Sequence, residues 1–470
     1  MSAVQCRILG AWGRGQPHNP AVPAPPVTAA VRIRTAWETF VALVGALFAW
    51  LPFVPGLTRA VFCGAQDRKR MFDTLRSGLH TQPASAPEIP SGPCTVFLVA
   101  GEPSGDLHAA DLADALLRAN PEVRLVGLGG PRMEAAGVRL LADLVSDPVM
   151  GIWPVIQRIP FFFGIYRQVL LHFETEPPDV FVGIDYPGLN TRLGRAARRR
   201  GIRSVAYIAP QVWAWAVWRG RKLARAFDRI LAILPFEPQV FAAAGGEAVY
   251  VGHPLFEHLA QRATDDGFAA ELRTGLGADD ALVALLPGSR RAEVAANMKL
   301  LLDAAERVAR ERPGTQFVLP LATERLRAAV ESGLSGTSLD VRIAPPSLTD
   351  DAMHAADGAV AVSGTASLHL VHHGTPSVVC YRTSWRGIVL AKVLLVAPFI
   401  ALPNLLCGRE VFPEFLTDSD DGEALAQALL RVLPGGEAHR DVTGTLVEIT
   451  RRLHVPGVPD RAARWIFANE

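Results

Sequence analysis

The sequence has little cysteine, and what it has is unorganised. Cys6, Cys63, Cys94, Cys380 and Cys407 are scattered, odd in number and never spaced C-x-x-C. This excludes a disulfide framework and a structural zinc ribbon, and it fits a reducing compartment. An excess of one charge is missing too. Lys plus Arg, 47, nearly cancels Asp plus Glu, 46, so no global field recruits nucleic acid and any anion binding must be local. H-E-x-x-H is absent, His372-His373 alone does not make a metal site, and Asp418-x-Asp420 sits in a polar run without flanking strands. The loop GEPSGD, residues 101–106, matches neither G-x-G-x-x-G nor G-x-x-x-x-G-K-[ST], so the mechanics of those nucleotide loops do not apply to it.

Long apolar runs are scarce. One, Phe40 to Leu57, carries no charge. A span needs ~20 apolar residues, and Pro52 and Pro55 break the second half of such a helix. The run starts too far from Met1 for a secretory signal and has no clear cleavage site. It therefore reads as a membrane-surface or hairpin anchor, with a helix docked on the globular body as the plain alternative. Residues 1–35, rich in Pro, Ala and Gly, read as a loosely attached extension, and 78–93 as a linker.

The remainder is ordinary folded protein, 49% hydrophobic, and 470 residues are too many for one compact core. Strand-like runs occur at 96–99, 125–128, 180–184, 204–208 and 229–233. A second series occupies 282–286, 316–319, 340–343, 358–362 and 377–380, with helical patterns such as 107–119 and 292–311 between them. Such alternation predicts α/β structure, with two Rossmann-like parallel-sheet domains meeting near Gly252-His253-Pro254. The expected division is an extension over 1–93, a first domain over 94–254 and a second over 255–470.

Ligands of open parallel sheets bind beyond the strands' carboxyl ends. Asp185, after the 180–184 strand, is placed to act as a general base for a hydroxyl, or else to cap the turn before Pro187. Pro287-Gly288-Ser289-Arg290 offers close backbone approach and a guanidinium fork for phosphate, though alone it is as readily a plain βα turn. Ser363-Gly364-Thr365-Ala366 opens a helix whose free N–H groups suit a diphosphate; the plain reading is an N-cap. The cluster Gln211-Val-Trp-Ala-Trp-Ala-Val-Trp218 forms either an apolar wall or core packing. Arg192, Arg195, Arg198 to Arg200, Arg219, Arg221, Lys222 and Arg225 make a basic region, either a solvated face or a contact for anionic lipid.

In order along the chain, VAGEPSGDLHAADL, GLGGPRMEAAGV, DPVMGI, PPDVFVGIDYPGLN, YIAPQVWAW, ILPFEP, VGHPL, LLPGSRRAEV, AVSGTASL, CYR and ALPNLLCGREVFPEFL resemble the lipid-A-disaccharide synthase family. The resemblance runs from about Val99 to Leu416. It implies a GT-B fold and an inverting, metal-independent glycosyl transfer without cofactor. UDP-2,3-diacylglucosamine would be joined to 2,3-diacylglucosamine 1-phosphate, giving a β(1→6) disaccharide and UDP. The implied setting is the cytoplasmic face of a Gram-negative-type inner membrane, with the lipid surface as partner and a homodimer left open. Asp185 and Arg290 are the implied catalytic residues. Gly288, Ser289, Arg290, Ser363, Gly364, Thr365, Ala366, His369, Tyr381 and Asn404 fall on the donor side. Glu102, Ser104, Asp106, Met150, Trp213 and Trp215 fall on the acceptor side, which makes GEPSGD an acceptor and interdomain loop rather than the UDP cradle.

Two positions depart from the family pattern. His369 stands where a Glu usually grips the ribose hydroxyls, and histidine offers no bidentate carboxylate. Gly188 stands where an acid often follows the catalytic Asp. Two other readings fit parts of the sequence: a GT-B enzyme with a different lipid or sugar acceptor, and a membrane-docked scaffold without turnover.

Overall fold

Runs such as Val96–Val99 and Val180–Ile184 are buried throughout, as a parallel sheet covered by helices on both faces requires. The computed structural model describes residues 28–47, 53–87, 92–146, 159–214, 218–277 and 279–468. A first sheet holds β1 (Cys94–Val99), β2 (Val123–Gly129), β3 (Arg139–Asp143), β4 (Val180–Ile184), β5 (Arg203–Tyr207), β6 (Arg229–Ala232) and β7 (Ala248–Tyr250). Its order is β3-β2-β1-β4-β5-β6-β7, and every pair is parallel. A second sheet holds β8 (Leu282–Leu286), β9 (Gln316–Pro320), β10 (Val341–Ala344), β11 (Gly358–Val362), β12 (Ser377–Arg382) and β13 (Glu414–Thr417). Its order is β10-β9-β8-β11-β12-β13, again all parallel.

Both sheets therefore follow the doubly wound order, and each has one topological switch point. The first lies between β1 and β4, where Val99 pairs with Gly183. The second lies between β8 and β11, where Leu286 pairs with Ala361. The two Rossmann-like domains expected from the alternation are present. The strands that sequence reading passed over are β3, β7 and β13, each at the edge of its sheet. Edge strands are covered on fewer sides, so RLLAD, AVY and EFLT lack the continuous apolar run that marks a central strand.

The described part of the extension, residues 28–47 and 53–87, is held more firmly than its composition suggests. Helix Ala29–Leu47 packs on helix Ile159–Thr175. There the buried guanidinium of Arg200 pairs with Glu38 at 2.9 Å and Glu174 at 2.8 Å. Helix Phe53–Gly78 lies against helices Glu237–Ala243 and Trp385–Leu394, and it places Met71 and Leu75 in the core. The apolar run Phe40 to Leu57 crosses residues 48–52, which lie outside the described residues. Among those described, no helix is long and apolar enough to cross a membrane.

The last helix, Val458–Phe467, does not stay with the second domain. Its Val458, Ala462, Ala463 and Ile466 share one core with Val96, Leu98, Leu112 and Leu116 of the first. Glu257 holds its start by accepting from the Gly457 and Val458 N–H groups at 3.0 and 2.8 Å. A single cut at residue 254 thus separates the sheets but not the packing. Ile466 is fully buried there. Ile466→Ala should cost about 2–5 kcal/mol in urea unfolding, as for an internal core residue. A loss below about 1 kcal/mol would mean that this helix contributes little to the first domain.

Candidate functional site

At the carboxyl end of β4 the chain takes a costly path. Asp185 and Tyr186 have φ of 48° and 49°, and Ile208, after β5, has 57°; these are the non-glycine residues with positive φ among those described. Each such residue costs about 1–3 kcal/mol and persists only where its surroundings impose it. The imposing group here is Asn190, on the helix Pro187–Arg198 that follows. Its buried side-chain amide donates to the Asp185 carbonyl at 2.7 Å, to Ile184 at 3.2 Å and to Val99 at 3.3 Å. One side chain thereby ties together the ends of β1 and β4. The Asp185 N–H donates to the Tyr207 carbonyl at 3.1 Å, adding the end of β5. Gly101 is required beside this turn, because a Cβ there would lie 2.5 Å from the Tyr186 ring.

The Asp185 side chain lines a cleft of about 340 Å³, together with Ile208, Arg219, Glu237, His253 and Leu402. Most of these residues follow the ends of β4, β5 and β6, while Leu402 comes from the second domain, so the cleft lies where the domains meet. Burial raises the Asp185 carboxyl above its ordinary value, and the negative charge of Glu102 raises it further. Burial lifts Glu237 to about 7, although it accepts from the Ile233 and Leu234 N–H groups and from the Trp213 indole. Burial also lowers His253 to about 3, so that ring is neutral at physiological pH. Chemically this is a carboxylate of raised basicity lining an interdomain cleft, with the guanidinium residue Arg219 also in the lining.

The second switch point brings the other two motifs together, after β8 and β11. Gly288 has φ of 118°, and a Cβ on it would lie 2.6 Å from that of Glu293, so only glycine fits. Glu293 organises the loop: its carboxylate accepts from the Ser289 and Arg290 N–H groups at 3.0 and 3.2 Å and pairs with the Arg290 guanidinium at 2.9 Å. Arg290 is otherwise exposed. Across from it, Gly364 and Thr365 are exposed ahead of helix Ala366–His373, and nothing lies within 4 Å of where a Gly364 Cβ would be. The Ser363 hydroxyl donates to the Ile400 carbonyl at 3.4 Å, and Tyr381 is partly exposed at the end of β12.

Several expected ligand contacts are instead engaged within the protein. Asp106 is buried and accepts from the N–H groups of Gly130, Arg132 and Met133, capping the short helix Pro131–Ala135. Glu102, just ahead of the helix Pro103–Ala119 that carries Asp106, and Ser104, in its first turn, are exposed. Trp213 is buried, edge-on to Phe236, with its indole N–H given to Glu237; it is core, not an open wall. Asn404 is fully buried and fully bonded. It donates to the Phe412 carbonyl and Glu414 and accepts from the Val411 and Phe412 N–H groups.

His369 gives its Nδ1 edge to Asp350 at 2.7 Å, and Asp350 also meets Arg262 at 2.7 Å and His373 at 3.4 Å. Burial alone would raise the Asp350 carboxyl, but its hydrogen bonds with the two histidines, and their charge, hold it far below its ordinary value. Of the basic region, Arg200 is consumed by Glu38 and Glu174, and Arg198 by Asp228 at 2.7 Å. Met150 and Trp215 lie outside the described residues. Sequence reading missed Asn190, Glu237 and His253 as site residues, although each stands in a quoted phrase: IDYPGLN, ILPFEP and VGHPL.

Residues 96–452 match the family model described as lipid-A-disaccharide synthetase. Relatives named lipid-A-disaccharide synthase include one from Pseudomonas syringae, 38% identical over 77% of this chain and 94% of its own length. Another, from Sodalis glossinidius, is 40% identical over 80% of this chain and 98% of its own. The fold resembles the S. aureus MnaA-UDP co-structure, with a TM-score of 0.53 at 13% identity, covering 78% of this chain and 95% of that one. With two facing Rossmann-like domains and a match along most of its length, this GT-B-like chain belongs to the lipid-A-disaccharide synthase family.

Proposed function

We propose that this protein is an inverting glycosyltransferase joining UDP-2,3-diacylglucosamine to 2,3-diacylglucosamine 1-phosphate, with the β(1→6) disaccharide 1-phosphate and UDP as products. The observation that carries the reading is Asp185. It is a carboxylate held in a strained turn at a switch point, lining the interdomain cleft, with its basicity raised by burial. A 6-hydroxyl entering from the first-domain side would give its proton to Asp185. Its oxygen would then attack the anomeric carbon opposite the diphosphate, forming the new C–O bond as the bond to the phosphate oxygen breaks. UDP leaves with the electron pair, and the configuration inverts.

The developing charge on the diphosphate needs donors that are already in place. Arg290, released from Glu293, and the N–H groups opening helix Ala366–His373 are the proposed donors on the second domain, with Gly288 allowing close approach. His369, bonded to Asp350, would offer the ribose at most a single hydrogen bond. Asp106, Trp213 and Asn404 are proposed to shape the site without touching substrate.

Both substrates carry acyl chains, so the protein would meet them at a lipid surface, on the cytoplasmic face of the inner membrane. Exposed Trp385, Val389 and Leu390 on one helix and Ile33, Trp37 and Val41 on another favour that setting.

UDP release by the purified protein should require both substrates together, with a β-linked disaccharide 1-phosphate found by mass and NMR. Release with the donor alone, or none with both, would overturn the reading. Asp185 must be ionised to accept a proton, so kcat/KM should rise with pH through its elevated pKa. Glu102→Gln removes one of the two causes of that elevation, so the acid limb should move to lower pH. A limb that stays in place or moves up would show that another group sets it.

A further inference from the structure

Apart from the residues that line the cleft, three metal-ligating side chains converge from two helices. His108 and Asp111 stand three residues apart on helix Pro103–Ala119, whose first turn is formed by the PSGD of GEPSGD. His258 belongs to helix Pro254–Gln261, which begins right after Gly252-His253, where the two domains meet. One ligand atom from each of the three lies within 4.8 Å of the others. His258 Nε2 is 2.6 Å from Asp111 Oδ2, and the His108 and His258 rings are 5.7 Å apart, centre to centre.

The ion pair between His258 and Asp111 accounts for those two residues but not for the third. His108 Nδ1 is buried and has no hydrogen-bond partner among the described residues. A buried polar atom left unpaired calls for an explanation, and a bound ion is one. Two imidazoles and a carboxylate are ligands that zinc accepts, and three of them leave a fourth position for water. At bond lengths of about 2.0–2.2 Å, the three atoms need only modest side-chain rotation to surround one ion. Nitrogen ligands favour zinc and its neighbours in the transition series over magnesium or calcium.

We propose that His108, Asp111 and His258 form a divalent-metal site of the zinc class. The ion clamps the crossover helix Pro254–Gln261 to the first domain. Through Glu257, which holds the start of Val458–Phe467, the same helix also meets the returning C-terminal helix. The clamp is structural: none of its three residues lines the cleft that contains Asp185. By fixing the crossover helix it sets the angle at which the two domains face each other.

The test uses the full chain, stripped with a chelator and then titrated with Zn2+ by calorimetry and with Co2+ by visible absorption. One equivalent should bind, with cobalt bands of nitrogen and oxygen ligation, and zinc should raise the melting temperature. His108→Gln and Asp111→Asn, each close in size to the original, should weaken binding at least tenfold, about the minimum for loss of even a metal ligand's supporting partner. The double variant His372→Gln, His373→Gln, at an unrelated histidine pair, should bind as the parent does. Absence of one-equivalent binding, or equal affinity in the His108 and Asp111 variants, would overturn the site and leave His258 and Asp111 as an ion pair. Loss of binding only in the His372 and His373 variant would move the ion elsewhere and overturn it equally.

Discussion

The side-chain amide of Asn190 is the contact on which the first domain's half of the site depends. It reaches three carbonyls at the ends of β1 and β4 and so fixes two consecutive left-handed residues, Asp185 and Tyr186. Without that hold the turn would relax, because each of those residues pays a conformational penalty. Gly101 takes part from the turn after the neighbouring β1 by leaving room for the Tyr186 ring. Strain at this point is compatible with stability because the central strands beneath it are buried on both faces.

The second switch point is organised differently. Glu293 draws the Ser289 and Arg290 amides and the Arg290 guanidinium onto one carboxylate, around a glycine that no other residue could replace. A diphosphate would compete with Glu293 for Arg290, and exchange of one anionic partner for another avoids leaving the charge unpaired. In the proposed reaction the two sites would divide the labour, with a rigid carboxylate on one domain and an exchangeable cation on the other.

Central strands were legible in the sequence because burial on both faces leaves a continuous apolar run, as in Leu282–Leu286. The edges β3, β7 and β13 were not, because short, half-covered strands leave no such run. Residues at strand ends were legible as crevice-facing positions, since parallel topology alone puts Asp185, Gly288 and Gly364 there. What a side chain does at such a position was not legible. Asp106, Trp213 and Asn404 are of types that bind ligands, yet tertiary packing turns each inward to satisfy buried backbone groups or a buried acid. Convergence across distance was equally hidden: Asp111 and His258 are 147 residues apart, and only the fold brings them together.

The central claim is that Asp185 acts on the acceptor proton and not on nucleotide binding. The most direct measurement is turnover and UDP affinity side by side in Asp185→Asn, which keeps the side chain's size and hydrogen-bonding capacity. Loss of a general base should lower kcat by about 10²–10⁴-fold, while UDP binding by calorimetry stays at the parent value. Turnover at the parent rate would contradict the account, and so would a loss explained by weakened UDP binding.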